Sequence, residues 1–160
     1  MKQNKQKLMS PEAYIRTKAR QLSIAECYLN KKWNEIGMAH ILVARKHNNG
    51  NFTIGFYLVD TFALGVKDSF YKFNISPSEY DEILQTLING HSEMESDTIE
   101  KADYVLVHNI IYGAMAFAED YGYKACREFS LTQFILEEDT EDIELIDIEF
   151  GKEGKPFLII

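Results

Sequence analysis

Residues 39–47 and 52–60 are β-rich runs of apolar and polar side chains, and Asn49-Gly50 lies between them. Successive side chains of a strand point to opposite faces, and Asn-Gly supplies the positive φ that both central positions of a two-residue type I′ turn need. The pattern predicts a β-hairpin closed at Asn49-Gly50. Counting outward from that loop pairs Val43 with Phe56, Ile41 with Leu58 and Ala39 with Asp60 on one face. His40, Leu42 and Ala44 then share the other face with Val59, Tyr57 and Gly55, so the hairpin is expected to be covered on both sides.

Helix signals flank this hairpin. Ser10-Pro11-Glu12 places an N-cap, a first-turn proline and an acid in order, predicting a helix to about Leu22 that packs through Ile15, Ala19 and Leu22. Residues 24–29 read as a short strand and 31–37 as a turn or short helical connection. Gly65 divides the next apolar run, so 61–73 forms a third strand or an irregular return. Ser76-Pro77-Ser78-Glu79 starts a helix reaching about Asn89 and closed by Gly90, and a polar, acidic loop follows over 91–98. The longest helix is expected over 99–121, ending at Gly122. It is apolar nearly all round, and Gly113, Ala114 and Ala116 leave room for a close neighbour, which puts it centrally against the sheet. Ser130-Leu131-Thr132-Gln133 fits a capping box and predicts a short helix to about Glu138. Residues 143–150 and 156–160 read as two closing strands joined by Gly151-Lys152-Glu153-Gly154. The expected class is α+β: an antiparallel sheet packed by one long central helix and shorter ones.

Composition adds bounds to this pattern. At 160 residues with 46% hydrophobic content, one domain with a sizeable core is expected, preceded by a flexible basic N-terminus over residues 1–9. No apolar run approaches the roughly 18 residues of a membrane span, and the N-terminus lacks the apolar centre of a signal peptide. A cytoplasmic protein without a membrane partner is the expectation. Cys27 and Cys126 stand far apart and read as reduced thiols. The net charge of −8 is unevenly spread: residues 1–72 carry 12 Lys and Arg against 5 Asp and Glu, and residues 73–160 carry 5 against 20. Either the basic half presents a polyanion-binding face, or the two halves pack together and neutralise each other. For the first reading Arg16, Arg20, Lys31, Lys32, Arg45 and Lys46 are the nucleic-acid-binding candidates, with Trp33 placed to stack a base.

Candidate chemistry centres on residues 56–73, FYLVDTFALGVKDSFYKF, where Asp60, Lys67 and Asp68 interrupt an apolar, aromatic run. Burying a charge is costly unless it is paired or used. Two carboxylates could hold Mg²⁺ while a lysine stabilises charge on a phosphate, which is the chemistry of a metal-dependent phosphodiesterase or nuclease. The alternative is an ion pair of Lys67 with Asp60 or Asp68 that fixes the loop around Gly65. His108 and Asn109, polar residues inside the long helix, each need a partner if buried; His108 is a candidate base or a satisfied core histidine. No phosphate-binding loop, zinc framework or Gly-X-Ser-X-Gly elbow is present.

LVARKH, FYLVDTFALGVKD, HNIIYGAMAFAEDYGY and FGKEGKPF, in that order, resemble a family of uncharacterised bacterial proteins from about Tyr14 to Phe157. The resemblance implies a bacterial protein and brings no activity, ligand or catalytic residue with it. The expected function is a non-enzymatic binding or regulatory module, without a cofactor, whose partner is a nucleic acid or a protein. The alternative is the Mg²⁺-dependent enzyme using Asp60 and Asp68.

Overall fold

The computed structural model describes residues 8–92 and 96–158. Its centre is a five-stranded antiparallel sheet in the order β4-β3-β2-β1-β5, formed by β1 (Ser23–Asn30), β2 (Met38–Lys46), β3 (Phe52–Asp60), β4 (Gly65–Ile75) and β5 (Ile99–Ala102). The helices are α1 (Pro11–Lys18), α2 (Trp33–Ile36), α3 (Pro77–Ser92), α4 (Tyr104–Asp120) and α5 (Phe129–Thr132). The architecture is α+β, as the element order predicts. Within the described residues no helix is long and apolar enough to cross a membrane. Residues 1–7 of the expected basic N-terminus, part of the acidic loop at 91–98 and the end of the second closing strand lie outside the described residues.

The hairpin forms, but one residue out of the expected register. Val43 faces Gly55, Ile41 faces Tyr57, Ala39 faces Val59 and Met38 faces Asp60. The loop has three residues: Gly50 N–H donates to His47 O at 2.9 Å, and His47 N–H donates to Asn51 O at 2.8 Å. Gly50 has φ +89°, whereas Asn49 is not among the positive-φ residues, so a type I turn followed by a left-handed glycine replaces the type I′ turn. A slip of one residue changes which side chains share a face. Ala39, Ile41, Val43, Tyr57 and Val59 therefore lie together, and Leu42, Ala44, Ile54 and Phe56 belong to the opposite face.

The first of these faces is covered by α1, α4 and the turn after α5, through Ile15, Val107, Ile110, Ile111, Ile135 and Leu136. Each such side chain contributes about 1.5–3 kcal/mol on burial. The second face is covered by α3 alone, through Tyr80 and Leu84, with Phe52 stacked on Tyr80 at a ring separation of 4.3 Å.

Several element boundaries differ from expectation. The segment expected to begin the long helix is β5: Ile99–Ala102 pairs with the free edge of β1 and buries Ile99, and α4 starts only after Asp103. Pairing a bare strand edge outweighs helical periodicity there. Helix α3 continues through Gly90 to Ser92. Ser130 lies inside α5, whose N-cap position is Glu128 without a side-chain cap, and a 3₁₀ turn, Gln133–Ile135, ends the helical stretch before Glu138.

The expected closing strands at 143–150 and 156–160 do not form in the described residues. Neither segment adds to the outer edge of β4 or β5, and the tail runs over α4 instead. Asn109 holds it there: Nδ2 donates to Glu144 O and Oδ1 accepts from Ile146 N–H, at 2.8 and 3.0 Å. The small residue at Gly113 admits a close neighbour as predicted, and that neighbour is Phe150; a Cβ on Gly113 would stand 2.5 Å from its ring. Lys152 and Lys155 bridge in a tight loop, and Phe157 N–H donates to Phe62 O.

Candidate functional site

Helix α3 covers the second face only in part, because it follows the end of β4 and packs against Phe52, Ile54 and Ile75. The other end of that face stays open. Phe56 and Phe70, paired across β3 and β4, stack at 4.4 Å with an 18° tilt, and Phe70 is 52% exposed. Together with His40, Leu58, Asp68 and Leu87 they line a groove of about 200 Å³. An aromatic pair left in water beside a single carboxylate can take an apolar side chain and position a positive group beside it.

Asp68 is the one chemical candidate from the 56–73 segment in this groove. Its Oδ1 accepts the N–H of Ser69 at 2.8 Å, on the edge strand. Asp60 is 2% exposed, and its Oδ1 accepts from the N–H groups of Phe62 and Ala63, at 3.0 and 3.1 Å. That carboxylate stabilises the turn between β3 and β4. Lys67 occupies a bulge in β4, where the register shifts between Leu58 and Val59, and is exposed. The described residues contain no group of three or more His, Cys, Asp and Glu side chains able to hold a metal ion.

His108 lies on α4, over the first face, so the sheet separates it from the Asp68 groove. Glu137 N–H donates to the Tyr104 hydroxyl oxygen at 2.7 Å, and the same hydroxyl is hydrogen-bonded to His108 Nδ1 at 2.7 Å. His108 Nε2 donates to the Asp139 carboxylate at 3.0 Å. Burial raises the Tyr104 phenol pKa above its ordinary value. Both ring nitrogens are engaged, and the chain of bonds ties residues 137–139 to the helix.

The basic candidates are divided. Arg45 is a correction: it is 0% exposed and cannot belong to a surface patch. Its guanidinium donates to Leu22 O and Ile135 O at 2.6 Å each and to Glu137 at 3.0 Å. Arg20 donates to Leu136 O at 2.9 Å and lies over the Phe134 ring. Lys46 and exposed Arg16 are at the α1 end of the sheet, whereas Lys31 and Lys32 follow the far end of β1. Eight residues of strand, about 26 Å, separate the two groups. Lys32 donates to Ser96, and Trp33 packs against the core with its ring half-buried.

Phe56, Phe70 and His40 were not singled out by the sequence. The signal that could have found them is the alternation in β4, where Asp68, Phe70 and Lys72 share one parity and set an aromatic ring between charges. No family model matches the chain, and neither the curated proteins nor the solved structures compared with it provide a match.

Proposed function

We propose that this protein is a non-enzymatic binding module of the bacterial cytoplasm that engages a protein partner through the open part of the α3 face. The observation carrying the reading is Phe70, half in water and stacked on Phe56 at the mouth of an apolar groove. Aromatic anchors beside depleted charge mark the energetic centre of protein interfaces. A protein is favoured over a nucleic acid because the net charge is −8 and the basic candidates are buried, engaged or split between two ends of the sheet. Asp68 at the groove gives the partner's contacting segment a basic group next to its apolar one. The cytoplasmic setting fits two cysteines that are both free thiols.

The test is photocrosslinking in cells from a benzoylphenylalanine placed at position 70. A discrete protein adduct is expected, and Asp68→Lys in the same chain should reduce its yield by about fivefold or more. Capture of nucleic acid alone, or an adduct indifferent to Asp68→Lys, would remove the reading.

A further inference from the structure

A second opening lies at the other side of the molecule, between α2, the turn after β3, the start of α4 and the tail. It encloses about 600 Å³, and its walls are built by Trp33, Phe62, Leu106, Ile146 and Ile148. Four carboxylates, Glu35, Asp147, Glu149 and Glu153, also line it, and Lys152 is the one lysine or arginine among the lining residues. Asp147, Glu149 and Glu153 form no ion pair within the described residues. The Lys152 ammonium instead rests on two rings, 5.1 Å from the centroid of Phe62 and 4.5 Å from that of Phe157. The chain's own cation thus rests on Phe62, in the wall of an acidic cleft, and on the adjoining Phe157 ring. The walls are fixed by backbone bonds, Gly151 N–H to Thr61 O and Phe157 N–H to Phe62 O, both at 2.9 Å.

We propose that this cleft binds a linear polyamine, a short aliphatic chain bearing two or more ammonium groups. Apolar walls suit the methylene segments, the rings suit an ammonium group by cation–π attraction, and the spread of carboxylates suits several positive charges on one ligand. A single small cation would use neither the rings nor the length of the cleft. Lys152 acts as an internal competitor, holding the two rings when no ligand is present. This assignment is independent of the Phe70 groove on the α3 face.

Trp33 is the single tryptophan of the chain and lines the cleft, so its fluorescence reports occupancy directly. Titration of the full chain with spermidine at about 0.15 M salt should give a saturable change with one ligand per chain. Lys152→Ala should tighten binding by about fivefold, by removing the competitor and a like charge. Phe157→Ala, at an exposed ring, should weaken it by about fivefold, and Asp147→Asn with Glu149→Gln by about tenfold. Absence of a saturable change, an equal response to Mg²⁺ at matched ionic strength, or no effect of Lys152→Ala would overturn the proposal. A lysine-containing peptide that binds more tightly than spermidine would overturn the small-molecule assignment in favour of a polypeptide.

Discussion

Arg45 is the largest fully buried side chain among the described residues, and a guanidinium cannot shed its proton to escape burial. It is tolerated because two backbone carbonyls and the Glu137 carboxylate accept from it. Arg45→Met should cost about 3 kcal/mol in urea denaturation, mostly from the carbonyls of Leu22 and Ile135 left without donors; Glu137 is 40% exposed and regains water. Alternation alone placed residue 45 in a strand, but nothing local told that two of its three acceptors lie about ninety residues away. Asp60 was likewise recognisable as a charge needing a use, and its use is to cap the adjoining turn. His47 gives a pH dependence of defined sign. Burial lowers its folded pKa below the ordinary 6.5, so the unfolded chain binds more protons as pH falls through that value. Stability should therefore drop on acidification below about pH 6.5 until the folded pKa is passed, and His47→Gln should flatten that part of a melting-temperature profile.

At the level of elements, hydrophobic pattern and turn residues made the hairpin, the Ser10-capped helix and a long central helix legible. The hairpin's register was not, because Asn49-Gly50 also fits the middle and end of a three-residue loop, and only the geometry of Gly50 distinguishes the two. Nor was β5, whose four residues are strand only because β1 offers an unpaired edge. The tail lost its expected strands because its backbone groups and apolar side chains are engaged by α4 instead, through Asn109 and Gly113. Its attachment depends on Gly151, which has φ +74° and stands where a Cβ would lie 2.4 Å from Lys155 O. Gly151→Ala should cost about 2–4 kcal/mol through strain and the forced shift of backbone. Limited proteolysis should then cut within residues 137–158 under conditions that leave the wild type intact.

On the scale of the whole molecule, the basic first half and acidic second half meet rather than present two separate surfaces. Arg45 and Arg20 from the first half bind residues 133–137 of the second, and Lys101 of the second half pairs with Glu26 of the first. Glu137 neutralises Arg45 and backbone carbonyls of the second half hold Arg20, so single-patch recognition of a polyanion loses both. At about 0.15 M salt the protein should pass unretained through immobilised DNA and RNA, and Arg16→Gln with Lys46→Gln should not alter its elution. The charge asymmetry was legible in the sequence; its spatial meaning required knowing that α1 and residues 129–136 pack on the same face of one sheet.

The acceptors of Arg45 also impose an order on biosynthesis. Residues 23–75 supply four of the five strands and leave the ribosome before residues 135 and 137, where the buried guanidinium near the α1 end of their packing face finds two of its three acceptors. A nascent chain that has not yet reached residue 137 leaves that charge without two of its three acceptors, so this part of the packing face closes only after residues 135–137 have emerged. A chain truncated before residue 135 should accordingly be cut by protease far faster than one that includes residue 137, which limited proteolysis of the two would show.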